Sequence, residues 1–139
     1  MVAITRRKAA ALRNRATGMD IVNYISGKCT TKRDGGCAPP FEVQIWPSCV
    51  RNPSTYRLTP AGRPLPSKRT SLRGVPAAYF EDGHRLELYT GRVTIVMFGR
   101  NRKQLAQAAA SLEGVNNQGP AGRPLPAPAE GALKGQASC

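Results

Sequence analysis

Three cysteines, Cys29, Cys37 and Cys49, fall within 21 residues of one another in a chain of 139, and a fourth, Cys139, stands far from them. Thiols can hold a metal, attack an electrophile or pair as disulfides. Structural zinc sites draw their ligands as close pairs, roughly two to four residues apart. Here seven and eleven residues intervene, so no metal is expected. A thiol nucleophile needs a neighbouring base and a group to orient that base. His84 is the only histidine, and it follows Glu81-Asp82-Gly83, a turn sequence in which a solvated imidazole is the ordinary reading. Disulfide formation is the favoured chemistry, with Cys29, Cys37 and Cys49 as candidates. A bridge from Cys29 to Cys37, across the bend at Asp34-Gly35-Gly36, would stabilise the fold by roughly 2.5 kcal/mol on the chain-entropy model. Cys37–Cys49 and Cys29–Cys49 are equally open pairings. Any of them implies an oxidising compartment, and the competing reading is reduced, half-buried thiols in a cytosolic protein.

Other chemistry is weakly represented. Glu81, Asp82 and Glu87 gather around one hairpin beside arginines, the pattern of a solvated face more than of an acid–base pair. Trp46, Tyr79 and Tyr89 have the types to line a pocket, but aromatic residues on strands more often serve a core or a sheet surface. No glycine-rich phosphate loop and no G-x-S-x-G elbow occurs. The expectation is a protein that is not an enzyme and takes no cofactor.

The charge is the strongest bulk signal. Lysine and arginine number 21 against 8 acids, a net +13. Such an excess favours anionic partners: nucleic acid, a lipid surface or an anionic polymer. The densest acid-free cluster is Arg6, Arg7, Lys8, Arg13 and Arg15, the candidate anion contacts. The remaining basic residues are spread along the chain, as on a solvated surface. A secretory signal needs an apolar run of ~7–15 residues. Only Ala9–Leu12 intervenes before Arg13, so residues 1–19 read as a basic flexible arm. No apolar run approaches the roughly 18 residues needed to span a bilayer.

The elements that position these residues read as follows. Asp20–Gly27 is a strand rich in β-prone side chains. Phe41–Trp46 alternates strictly, with Phe41, Val43 and Ile45 on one face and Glu42, Gln44 and Trp46 on the other. Residues 51–74 are polar and proline-broken, a long loop with at most a short strand at Thr55–Leu58. From Val75 to Phe98 the sequence predicts a three-strand meander turning at Asp82-Gly83 and at Gly91. Val93–Phe98, the last of the three, is apolar on both faces and is expected to be a central, doubly covered strand of the sheet. A helix follows, capped by Asn101 with Gln104 reaching back, carrying Leu105, Ala108, Ala109 and Leu112 as its apolar stripe and ending at Gly114. The fold class is therefore α+β: an antiparallel sheet of four to five strands with one helix on a face, in a single domain over 20–113. Residues 114–139, rich in glycine, proline and alanine, read as a disordered tail.

The heptapeptide PAGRPLP occurs twice, at Pro60–Pro66 and Pro120–Pro126. The flanking sequences do not match, so no fold unit is repeated. The prolines are spaced four and two apart, not three as common proline-recognition domains require. Local duplication or shared linker composition is the favoured reading. A peptide ligand is the alternative, since Arg63-Pro64-Leu65-Pro66 favours an extended chain.

Several runs carry a resemblance: Tyr24-x-x-Gly27-x-Cys29, Asp34-Gly35-Gly36-Cys37-Ala38-Pro39-Pro40, Trp46-Pro47-x-Cys49-x-Arg51-Asn52, Gly74–Gly83 and Leu86–Gly91. In order and spacing, over about residues 20–116, the chain resembles a family of uncharacterised actinobacterial proteins that are exported or membrane-tethered. The resemblance implies an extracytoplasmic location and favours a structural disulfide among the clustered cysteines. It carries over no catalytic residue. Where the family has an N-terminal hydrophobic segment, this chain has its basic arm. Two functions follow as expectations: a small non-enzymatic binding or structural domain of an extracytoplasmic or membrane-tethered protein, or a basic cytosolic nucleic-acid-binding protein.

Overall fold

A computed structural model describes residues 9–13, 20–26, 28, 30–31, 37–54, 66–112 and 124–139, with side chains placed for Lys28 and for these ranges from residue 39 onward. Its strands are β1 (Ala9–Arg13), β2 (Asp20–Ser26), β3 (Thr30–Thr31), β4 (Cys37–Ala38), β5 (Phe41–Pro47), β6 (Ser67–Leu72), β7 (Val75–Phe80), β8 (Arg85–Thr90) and β9 (Val93–Phe98), followed by the helix α1 (Arg102–Ala110). Five strands, in the order β5-β9-β8-β7-β6, make the antiparallel sheet on which α1 packs. The α+β expectation is met. Two further strands extend the sheet at the β5 edge, β2 and then β1, both antiparallel. Part of the expected flexible arm is thus a strand, with Arg13 opposite Asp20. β3 and β4 form a separate two-stranded ladder within the turn-rich segment between Cys29 and Pro39.

The meander β7-β8-β9 follows its sequence signals. Its first turn differs in detail: Glu81, Asp82 and Gly83 form a short 3₁₀ turn, all three with positive φ, so the connection is wider than a two-residue hairpin. The polar stretch before it is expected as loop, yet β6 pairs with β7 along its whole length. Its side chains are mostly exposed, so the hydrophobic period that announces a half-buried strand is missing. Arg73 and Gly74, both at positive φ, make the tight turn that permits the pairing. Thr55–Leu58 lies outside the described residues.

Asn101 caps α1, its side chain accepting from Gln104 N at 2.9 Å. Gln104 accepts from Arg100 N, just ahead of the cap. The helix ends at Ala110, ahead of the predicted stop at Gly114, which lies outside the described residues. Arg73 Nη1 donates to the C-terminal carbonyls of Ala109 and Leu112, a cation where the helix dipole favours one. Leu105, Ala108 and Ala109 meet Phe41, Val43, Val75, Ala77, Tyr79, Leu86, Leu88 and Met97 across the helix-covered face.

The expectation of a disordered tail is corrected for residues 124–139. This segment passes the end of the sheet at the Arg73-Gly74 and Gly91-Arg92 turns, where Leu125 N donates to Arg73 O and Ala129 N to Gly91 O. It continues to the face opposite α1, where Leu133 packs on Ala78, Phe80 and Tyr89. Leu125 joins the helix-side core at its margin.

Candidate functional site

The period of two along β8 places Arg85, Glu87 and Tyr89 on the face away from α1, while Leu86 and Leu88 face the helix. The cross-strand register puts Glu87 beside Val96 and Tyr89 beside Thr94, with Gln44 and Trp46 of β5 beyond them. Into this face comes Arg51. Its chain turns sharply after Pro47, whose carbonyl accepts from Val50 N and Arg51 N at 3.0 Å each, and Thr94 Oγ1 donates to Arg51 O at 2.6 Å.

Glu87 is 1% exposed and lies at the centre of a charged cluster. Arg51 donates to its Oε1 through both Nε, at 3.2 Å, and Nη2. Arg85 Nε stands 3.6 Å from the same oxygen, and its Nη1 binds Glu81 at 2.9 Å. Tyr89 donates its hydroxyl to Glu87 Oε2 at 3.0 Å. The two guanidiniums also lie over aromatic rings, Arg51 over Trp46 and Arg85 over Phe80, the latter at 4.4 Å from the centroid. Burial pushes the Tyr89 phenol well above its usual range, and the adjacent Glu87 charge and hydrogen bond push it the same way. Tyr89 is therefore fixed as a neutral donor. Burial also raises Tyr79, opposed by the nearby Arg102.

This arrangement neutralises itself. Both carboxylate oxygens of Glu87 are engaged, Arg51 and Arg85 face that carboxylate, and the phenol holds its proton. Its chemistry is that of a clasp, and the clasp is linked to the C-terminal segment. Two residues before Arg51, Cys49 forms a disulfide with Cys139, with Cα atoms 5.4 Å apart. Asn52, fully buried, donates to Ser48 O and accepts from Ser54 N. Ser54 Oγ donates to Leu133 O at 3.1 Å. Gly135, at φ +71, passes so close to Asn52 that a Cβ would stand 2.9 Å from its Nδ2. A 90-residue separation makes the cross-link worth roughly 4–5 kcal/mol on the chain-entropy model.

The structure places part of the expected site residues. Cys49 pairs with Cys139, so neither Cys37–Cys49 nor Cys29–Cys49 forms; the partner lies 90 residues away, outside the three-cysteine cluster. Cys29 lies outside the described residues, and Cys37 is described only as backbone in β4. Arg6, Arg7, Lys8 and Arg15 lie outside the described residues, and Arg13 is described only as backbone ending β1. His84 is exposed, with Nδ1 3.1 Å from Gly99 O. Of the three hairpin carboxylates, Glu81 and Asp82 are exposed as expected, but Glu87 is buried. Trp46 and Tyr89 share a face while Tyr79 lies on the other, so the three aromatics line no common pocket. Arg51 and Cys139 were missed. The available signals were an acid within the apolar strand Arg85–Thr90 and an even cysteine count.

No family model matches the chain, and no curated protein or solved structure is similar enough to it to count as a match.

Proposed function

We propose that this chain is a small, disulfide-fastened binding or structural domain, without enzymatic activity, of an extracytoplasmic or membrane-tethered protein. The observation that carries this reading is the Cys49–Cys139 cross-link, which pins the C-terminal segment to the face that buries Arg51 and Glu87. A disulfide persists where the compartment is oxidising. The non-enzymatic part is supported by the self-neutralised cluster, whose acid, bases and phenol are engaged with one another. The test is an intact-mass and thiol count on protein purified from its native host without reductant. A crosslinked Cys49–Cys139 peptide is the expected finding. Free thiols at both positions would remove the export reading.

One observation favours a second reading, binding to nucleic acid. Lys68 and Arg69 on the edge strand, and Arg100, Arg102 and Lys103 at the start of α1, are all exposed. They are divided between an edge and one end of the sheet, which suits a diffuse phosphate-driven contact better than a single groove. Affinity for DNA or RNA that barely changes between low and moderate salt would exclude that reading.

A further inference from the structure

The second copy of PAGRPLP ends in Pro124-Leu125-Pro126, and each of these three residues meets a matching feature of the domain. Leu125 carries the only backbone N–H of the triplet, and it donates to Arg73 O at 2.9 Å. The Pro126 carbonyl accepts from Thr90 Oγ1 at 2.6 Å and from Gly91 N at 3.2 Å. The Leu125 side chain packs against the core cluster that also takes Leu72 and Leu112 at its margin. Pro124 and Pro126 lie alongside the two turn glycines, at van der Waals range: a Cβ built on Gly74 would stand 3.4 Å from Pro124 Cβ, and one on Gly91 4.0 Å from Pro126 Cβ. Prolines hold the segment extended and leave no N–H unpaired. The groove between the two turns thus reads a Pro-Leu-Pro segment through its backbone and its one large side chain.

The same seven residues stand at Pro60–Pro66. That copy cannot reach the groove of its own molecule. Pro66 is joined directly to Ser67, the first residue of β6, which pairs with Phe80 at the far end of the sheet. From Ser67 to Arg73 the strand advances roughly 20 Å, whereas the two bonds of chain from Leu65 to Ser67 span about 7 Å at most. Another molecule's groove has no such restriction.

We propose that the groove formed by Arg73, Gly74, Thr90 and Gly91 is a recognition site for Pro-Leu-Pro, and that its second occupant is the Pro60–Pro66 copy on another molecule of this chain. The resident copy holds the advantage of an intramolecular ligand, with an effective concentration on the order of millimolar. The incoming copy therefore gains the groove when the resident one is weakened. This inference does not depend on where the protein resides.

The test uses the full chain carrying Leu125→Asp, which disables the resident copy and leaves the groove and the first copy intact. Sedimentation velocity at rising concentration is expected to show self-association beyond that of the unaltered chain, and adding Leu65→Asp is expected to abolish the gain. Because Leu125→Asp also removes a core contact, a second measurement uses the full chain with Cys139→Ser and a labelled PAGRPLP peptide. Saturable shifts of the Gly91 and Leu125 amide resonances are expected, with PAGRPDP binding roughly tenfold or more weakly. If neither peptide shifts these resonances, or both do so equally, the recognition site is overturned. If PAGRPLP binds but Leu125→Asp stays monomeric, the second copy of this chain is overturned as the occupant.

Discussion

On one face of the sheet, α1 lays Leu105, Ala108 and Ala109 over Leu86, Leu88 and Met97, with no buried charged side chain there among the described residues. On the other, Leu133 covers Ala78, Phe80 and Tyr89, beside a carboxylate held between arginines. The first cover follows its sheet directly in sequence, α1 beginning four residues after β9. The second arrives from beyond residue 124 and is fastened by a disulfide. A nearby helix with an apolar stripe needs little beyond burial to dock. A segment of glycine, alanine and proline has little apolar surface to bury, so covalent linkage, backbone hydrogen bonds and the buried ion cluster do that work.

The largest effects should separate the faces. Glu87→Ala removes the buried carboxylate that Arg51 and Arg85 share, Arg85 keeping its exposed partner Glu81, a change that costs about 3–5 kcal/mol. Leu105→Ala, a cavity on the helix face, costs roughly 2–5 kcal/mol. Denaturant unfolding measures both totals, and hydrogen exchange at Ala129 N, bonded to Gly91 O at 2.8 Å, distinguishes them. Glu87→Ala should accelerate that exchange at denaturant concentrations where Leu105→Ala does not. A cost for Glu87→Ala below about 1 kcal/mol, the range of an exposed ion pair, would break the comparison.

The next effect belongs to Tyr89. Tyr89→Phe removes the donor to Glu87 Oε2 and should cost about 1–2 kcal/mol at neutral pH. It should also change the alkaline limb of stability. Burial raises the Tyr89 pKa above its ordinary 10.0 in the folded state. Above pH 10 the unfolded chain loses this proton while the folded chain keeps it, so stability falls as pH rises, by up to ~1.4 kcal/mol per pH unit. Urea titrations on both sides of pH 10 should show a shallower decline in Tyr89→Phe. Equal slopes would mean that Tyr89 ionises as readily folded as unfolded.

The contrast between the faces also explains what the sequence made legible. Phe41–Trp46, the meander and the Asn101 cap are local patterns, each set by side-chain period or turn chemistry, and each appears in the fold. β6 escaped because Lys68, Arg69, Thr70 and Ser71 all face water at a sheet edge, leaving no alternation to detect. Residues 124–139 escaped because what orders them lies elsewhere in the chain: the Arg73 carbonyl, the Gly91 turn, the cleft beside Asn52 and Cys49. Composition weighed the entropy of ordering that segment correctly but could not see the partners that offset it. Glu87 was misplaced for a related reason, since Arg51 lies 36 residues away and reaches it only because Thr94 and the Pro47 turn hold its backbone there.

The smallest effect tests whether the helix face is as independent as its local origin implies. Asn101→Ala removes the side-chain N-cap of α1 and should cost about 1 kcal/mol. The cap sits at the Gly99–His84 end of the sheet, remote from the Gly91 turn where the C-terminal segment docks. The loss should therefore appear as faster amide exchange within Arg102–Ala110, while Leu125 N and Ala129 N keep their protection below global unfolding. Arg73 links the regions directly, since its side chain binds the helix carbonyls of Ala109 and Leu112 and its own carbonyl receives Leu125 N, and Leu125 also packs at the margin of the helix-side core. If loosening the helix start also frees Leu125 N, the change has passed through Arg73 and the Leu125 core contact, and the two covers form one cooperative unit.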